Sequence, residues 1–298
     1  MYRLAMTILP LAIAAATLVA IIKLSDYQHR SNLPEGYVAL EAAGFEVYHP
    51  PGLEGLARRV AESATAYMTA AAQGWGSRLG GLEPPSEPIR LTLFPSHADF
   101  EQFGSSALSE DLSHNGGYFD AATMEIALVL PESHPSDLAD MGIRHEIAHL
   151  LIARGDGRYG TQMPVWLNEG LATWLETADP AQPDGPASVS DWVRLVAAAS
   201  PPLTLQAVTA ASSASFSSEG NEVYYAYANL LVHFLVDRVP DRFWGFARDA
   251  RDGDATDFTA FVQRFGPLEP LEKRWQEAMA TARQRYVVEL SEAAERGL

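Results

Sequence analysis

The chain has 298 residues, a formal net charge of −17 and no cysteine. The acidic balance argues against a general nucleic-acid-binding protein and against docking on anionic lipid, because both need clustered Lys and Arg. The absence of cysteine excludes disulfides and thiolate ligands, so a zinc site in this chain must use histidine and carboxylate.

The N-terminal segment contains a run of 19 residues, 4–22, without a charged side chain. This length matches the helix that is needed to cross a bilayer. A cleaved signal peptide is the alternative, because small residues at 14–16 follow a shorter apolar stretch. We assign residues 1–24 to a transmembrane anchor or signal peptide, and residues 25–40 to a polar linker. Both interpretations predict a protein that is membrane-anchored with its globular part outside the cytoplasm (periplasmic or extracellular), or secreted.

Residues 41–135 have the pattern of a sheet with covering helices. Alternating apolar residues predict strands, and apolar residues at helical spacing predict helices. Strands are predicted over residues 45–48, 89–94 and 124–130, and helices over residues 53–79 and 96–103. The sequence Asn115-Gly116-Gly117 favours a plain turn, with a place at the rim of a cleft as the alternative.

From residue 136 onwards the chain is predicted to be mostly helical. Helices are predicted over residues 136–153, 165–177, 223–238, 242–251 and 271–296. The fold class is therefore α+β, with an N-terminal mixed sheet and helices followed by a mostly helical part. Within one domain, 41–298, we distinguish the sheet part at 41–135, a helical part at 136–240 and C-terminal helices at 241–298.

His145 and His149 are four positions apart on one predicted helix, so they share a face, one turn apart. Two imidazoles placed in this way can bind one metal ion. Glu146 lies about 100° round the helix, so it cannot join them as a ligand. It can reach the open side of the ion as a general base.

Glu169 follows His149 after 19 intervening residues, on the next predicted helix. A turn between the two helices can bring its carboxylate back to the histidine pair. A catalytic zinc takes three protein ligands and keeps a fourth position for water, and two histidines with one glutamate are a known set. We therefore predict that one Zn²⁺ binds His145, His149 and Glu169. Glu176, seven positions further on the same face, is either an acceptor for a zinc-bound histidine or a solvated carboxylate.

Two motifs together, His145-Glu146-Ile147-Ala148-His149 and Trp166-Leu167-Asn168-Glu169-Gly170, resemble those of the gluzincin metallopeptidases. The second motif is similar to the aminopeptidase N-like branch, and residues 258–275 are similar to the C-terminal part of small bacterial peptidase MA-like domains. The resemblance implies a zincin-like fold over residues 41–298 and a zinc metallopeptidase acting on a peptide or protein substrate. It also implies that the strand at 124–130 is the edge strand that binds extended substrate.

In aminopeptidase N-like enzymes, a tyrosine on a downstream helix donates a hydrogen bond to the tetrahedral oxyanion. The resemblance gives this catalytic role to Tyr225, while Tyr224 and Tyr227 are alternatives because the Lys and Gly of the family motif are missing. The segment Gly-Ala-Met-Glu-Asn, whose carboxylate anchors the free α-amine of a substrate, is also missing. Cleavage within a chain is therefore favoured over aminopeptidase activity.

A binding or scaffold domain with a non-catalytic zinc site is the alternative from another functional class. The presence of Glu146 favours the enzyme, because a purely structural zinc site does not need a general base. The sequence predicts no nucleic-acid partner, and it predicts a membrane contact only through the N-terminal segment. It leaves the oligomeric state undetermined.

Overall fold

The computed structural model describes residues 33–82, 87–105, 115–121, 123–130, 137–153, 163–183 and 187–296. The predicted anchor or signal peptide and most of the linker lie outside these ranges. None of the helices within them is long and apolar enough to cross a membrane. The architecture is α+β, as predicted: a mixed sheet with helices is followed by a mostly helical part.

Five strands form one sheet in the order β1-β2-β3-β5-β4. The strands are Val38–Ala42 (β1), Phe45–His49 (β2), Ile89–Phe94 (β3), Gly117–Asp120 (β4) and Glu125–Val129 (β5). The central strands β2, β3 and β5 run parallel, while β1 and β4 pair antiparallel at the two edges. The three predicted strands are confirmed as elements, with bounds that differ by one residue at most.

The prediction that the strand at 124–130 is an edge strand is wrong. This strand, β5, pairs with β3 on one side and with β4 on the other. The edge is formed by the short strand β4, which folds back on β5 and occupies its second row of backbone hydrogen-bonding groups. A substrate that extends this sheet must therefore pair with β4.

The described residues form eleven helices. They are Glu54–Trp75 (α1), His97–Phe103 (α2), Asp137–Ala153 (α3), Val165–Thr177 (α4), Asp191–Ala199 (α5), Leu205–Thr209 (α6), Ser213–Ser217 (α7), Glu222–Arg238 (α8), Pro240–Arg251 (α9), Phe258–Phe265 (α10) and Leu268–Glu295 (α11). The sequence pattern did not predict α5, α6, α7 or α10. Each of these has nine residues or fewer, which is too short for a clear periodic signal.

The sheet buries apolar side chains on both faces, because alternate residues of a strand point in opposite directions. Leu91 and Leu93 of β3 belong to the main core beneath the helices. Phe94 belongs to a second, smaller cluster on the other face, where it contacts Phe100 and Phe103 of α2 with ring centroids 5.7 and 5.2 Å apart. The helix α2 therefore covers the face that α1 and α3 leave free.

The helix α4 is the centre of the helical part. It packs against both α3 and α8, and nine of its thirteen residues are buried. Trp166 stacks on Phe246 of α9, and Trp174 contacts the ring of Trp75 on α1 with centroids 5.9 Å apart. Trp166 and Trp174 are core residues. Contacts in several directions thus fix the position and rotation of α4.

A buried arginine holds the C-terminal end of α3. Arg251 of α9 donates from Nε to the carbonyl oxygen of Ile152 at 3.0 Å and from Nη1 to the carbonyl oxygen of Leu79. The last carbonyls of a helix have no partner within the helix, and a cation there is stabilised by the helix dipole. The interaction joins the end of α3 to the segment that follows α1.

Gly170 allows a close approach between α4 and α8. A Cβ atom at this position would lie 2.6 Å from the carbonyl oxygen of Ala228 and 2.7 Å from its carbonyl carbon. Both atoms belong to the backbone of α8, so they can move away only if the helix itself moves. Glycine is therefore required where the two helices meet.

We expect Gly170→Ala to lower the free energy of unfolding by about 1–3 kcal/mol, the usual cost of overpacking a core contact. Gly55→Ala, at the start of α1, is the matched control, because its Cβ would meet only the flexible end of Arg59 at 3.6 Å. That variant should be neutral or stabilised by about 0.5–1 kcal/mol. Urea unfolding compares the two, and equal stabilities would contradict the prediction.

Candidate metal centre

Three side chains from two helices converge at the bottom of a cleft. The Nε2 atoms of His145 and His149 on α3 lie 3.1 Å apart. The Oε2 atom of Glu169 on α4 lies 3.4 Å from the first and 3.3 Å from the second. These are the predicted ligands, and the structure brings all three together as a possible metal site.

The spacing of the three atoms fits zinc. Bonds of about 2.0–2.1 Å at tetrahedral angles separate any two ligand atoms by about 3.3–3.4 Å. The observed separations of 3.1–3.4 Å are close to this value for every pair. Three ligands leave the fourth tetrahedral position for water or substrate, which is the arrangement of a catalytic site rather than a structural one.

Glu176 orients one of the two imidazoles. It lies two turns after Glu169 on α4, is 8% exposed, and its Oε2 is 3.2 Å from Nδ1 of His145. A carboxylate that accepts from Nδ1 leaves the lone pair of Nε2 free for the metal. Of the two alternatives from the sequence, the acceptor is confirmed and the solvated carboxylate is wrong.

The surroundings of the two imidazoles are strongly negative. Burial lowers the pKa of His145, but hydrogen bonds to Glu169 and Glu176 outweigh it, and the pKa lies well above its usual value. Burial alone would raise the pKa of Glu169, whereas the charges of His149 and His145 bring it below its usual range. Carboxylates that stay ionised here favour a cation at the point where the ligand atoms meet.

Glu146 belongs to the same helix turn but has a different environment. Its side chain is 5% exposed and lies against Gly117 of the edge strand β4. Burial raises the pKa of its carboxyl, while the nearby His145 and His149 oppose that rise. A buried glutamate with a raised pKa beside a candidate metal site is suited to take up a proton.

Tyr225 lies on α8, across the cleft from α3. Its ring centroid is 6.4 Å from that of His145, and Phe216 of α7 packs against it edge-on at 5.0 Å. Burial, reinforced by the charges of Glu169 and Glu146, raises its pKa, so the phenol keeps its proton as a hydrogen-bond donor.

The two alternative tyrosines lie elsewhere. Tyr227 is 1% exposed, and its hydroxyl donates to the carbonyl oxygen of Ser200 at 3.0 Å. Tyr224 packs on Phe216 and does not line the cleft. Among the three candidates, only Tyr225 is placed where its side chain can contact a molecule in the cleft.

The cleft has a volume of about 1000 Å³ and extends from β4 across α3 and α4 to α7 and α8. This is at the upper end of the range for ligand pockets. Asn115, Gly116 and Gly117 form part of its rim, so the alternative reading of this segment is right and the plain turn is wrong. Its described lining contains several carboxylates and no Lys or Arg.

Sequence reasoning missed several lining residues. His97, Trp192 and Phe216 contribute to the wall, and each comes from a different segment. The two aromatic residues lie on short helices, α5 and α7, that the pattern did not predict. Nothing in their local sequence distinguishes them from core residues, since only the tertiary fold brings them to the cleft.

The model of the peptidase MA superfamily matches residues 86–281, well over half of the chain and including both motifs of the metal site. A comparison with curated proteins gives no match. The chain therefore belongs to the peptidase MA superfamily. It is a zinc metallopeptidase of that family, with His145, His149 and Glu169 as its candidate site.

We expect Glu176→Gln to weaken zinc binding by about 10–100-fold, because the amide no longer fixes the tautomer of His145 as a carboxylate does. Glu222→Gln is the control, since this exposed glutamate lines the same cleft and its loss removes the same charge. Competition with a chromogenic chelator measures both affinities. If the two variants bind zinc equally, Glu176 acts only through its charge and the prediction is wrong.

Proposed function

We propose that this member of the peptidase MA superfamily is an endopeptidase, which hydrolyses peptide bonds within extended chains. The observation that carries the proposal is the arrangement at the bottom of the cleft. His145, His149 and Glu169 meet at tetrahedral spacing, Glu146 lies next to them, and Tyr225 faces them from α8. Each side chain has a place that matches one requirement of hydrolysis.

Zinc, when bound by the three ligands, lowers the pKa of water and polarises a carbonyl oxygen. Glu146 takes the proton from the attacking water. Because burial raises the pKa of this carboxyl, it holds the proton long enough to pass it to the departing amine. Glu169 cannot exchange roles with Glu146, since the two imidazoles keep its pKa low and its carboxylate ionised.

Tyr225 supplies a hydrogen-bond donor for the negative charge that develops on the scissile carbonyl oxygen. Its raised pKa keeps the phenol neutral. A donor that is fixed in place and excluded from water stabilises the transition state more than the ground state. Packing against Phe216 holds the ring in place on the cleft side of α8.

The edge strand β4 is the proposed binding site for the peptide backbone. Among the described strands it pairs with β5 alone, and it lines the cleft next to Glu146. An extended peptide can add to such an edge through main-chain hydrogen bonds, which carry affinity without selecting a sequence. This mode of binding favours internal cleavage. It does not require the amine-anchoring segment that the sequence lacks.

We further propose that residues 1–24 place this domain outside the cytoplasm, as an uncleaved anchor or a signal peptide. The support is the uncharged run at residues 4–22, whose length suits a bilayer. Membrane fractionation of the full chain distinguishes the two forms, because an anchor resists alkaline extraction and a cleaved protein is found in the soluble fraction. Recovery of the full-length chain in the cytoplasm would contradict both.

We expect Glu146→Gln to keep zinc at one ion per chain and to lower kcat by about 10²–10⁴-fold, the usual contribution of a general base. The substrate is a peptide library, tested with free and with acetylated N-termini. An endopeptidase cleaves both forms, whereas an aminopeptidase cleaves only the free one. Metal analysis accompanies the kinetics. Wild-type protein that takes up no zinc, or a zinc-loaded wild type that cleaves nothing, would contradict the proposal.

The same assay tests the tyrosine. Tyr225→Phe should lower kcat by about 10²-fold with little change in KM, because it removes a donor that acts in the transition state. Tyr224→Phe is the matched control on the neighbouring position and should behave like wild type. Equal activity of the two variants would mean that another group donates the hydrogen bond to the oxyanion.

A further inference from the structure

Gly117, the first residue of β4, lies against the carboxylate of Glu146. A Cβ atom at Gly117 would be 2.6 Å from Oε1 of Glu146 and 3.2 Å from its Cδ. It would also be 2.9 Å from Cδ2 of Leu128 on β5. Real Cβ atoms essentially never make contacts below 3.0 Å, so any side chain at this position requires a neighbour to move.

Contacts with two other segments hold the start of the strand in place. Gly117 stands opposite Leu128 in the β4–β5 register. The carbonyl oxygen of Gly116 accepts from the amide of Val129 at 3.0 Å. The carbonyl of Asn115, one residue earlier, is 3.0 Å from Nε2 of His97. Three consecutive residues are thus held by partners from two other segments.

The carboxylate of Glu146 can move, and it is the group on which the proposed chemistry depends. Oε1 is the far end of a flexible side chain, so a Cβ at Gly117 can displace it at little cost in stability. The backbone of α3, in contrast, stays in place, because Ile143, Ile147 and Leu150 on the same helix are fully buried. Cδ2 of Leu128 is also the far end of a side chain, so the contact acts on two side-chain ends, the Glu146 carboxylate and this methyl group, and not on the backbone of the fold.

We infer that Gly117 is a positioning residue for Glu146: the bare backbone of the edge strand forms the wall against which the carboxylate rests. A side chain at this position rotates the carboxylate away from the attacking water. A misplacement of about 1 Å in a catalytic group can lower a rate about 10²-fold. This inference rests on the proposed function, because it assumes that Glu146 is the general base.

The test compares Gly117→Ala with Gly116→Ala. Neither glycine has a positive φ, so alanine is conformationally permitted at both positions. A Cβ at Gly116 would meet nothing within 4 Å. The two variants are adjacent on the same cleft rim and differ only in the contact with Glu146 and Leu128.

We expect Gly117→Ala to lower kcat by about 10–100-fold, with KM, zinc content and melting temperature equal to those of Gly116→Ala. Gly116→Ala is the baseline for effects that the two rim positions share, and the loss in kcat is expected as a difference between the two variants. In the Glu146→Gln background, Gly117→Ala should cost no further activity, because the group that it displaces no longer acts as a base. A loss of stability or an independent, additive loss of activity would overturn the inference.

Crystal structures of the two zinc-loaded variants give a result that does not depend on activity. The Glu146 carboxylate should be displaced in Gly117→Ala and unmoved in Gly116→Ala. If it keeps its place in Gly117→Ala, the inference is wrong whatever the kinetics. If it moves, while no form of the protein cleaves any peptide, the proposed function fails and the positioning contact stands.

Discussion

The packing of α4 between α3 and α8 is the constraint on which the rest of this structure depends. The histidines lie on α3, Glu169 and Glu176 lie on α4, and Tyr225 lies on α8, so every distance in the site follows from how these helices meet. Gly170, directly after the glutamate ligand, lets α8 approach α4 at backbone contact. A larger residue there would separate Tyr225 from the metal ligands, which explains why a packing residue stands next to a ligand.

A second feature of the site is that two glutamate carboxyls have different pKa values because their surroundings differ. Glu146 is buried and Glu169 is half-buried, and both carboxyls lie in the same cleft. Glu169 lies between two imidazoles that lower its pKa, whereas burial dominates at Glu146 and raises its pKa. Environments that move two carboxyls in opposite directions divide the roles of ligand and base.

The sheet supplies one wall of the cleft as well as mechanical support. Local alternation in the sequence identified β2, β3 and β5. It missed β1, which is as long as β2 and β5 but begins within the segment assigned to the linker. It could not identify which strand is at the edge, since strand order depends on pairings between residues that are distant in sequence. The sequence pattern did not predict β4 as a strand, yet its four residues form the edge that faces the cleft. Gly117 contacts the carboxylate of Glu146 only because β4 lies at this edge.

The sequence by itself determined the candidate ligand set and the roles proposed for the residues of α3. A helix has a fixed period, so the spacing of His145, Glu146 and His149 dictates two ligands on one face and a carboxylate beside them. Only the tertiary structure decided the rest. It places Glu176 within hydrogen-bonding distance of His145, and it brings Tyr225, but neither of the two alternative tyrosines, to the cleft. It also makes β4 the edge strand. These outcomes depend on the rotation of one helix against another and on non-local strand pairing. No short-range spacing in the chain encodes either of them.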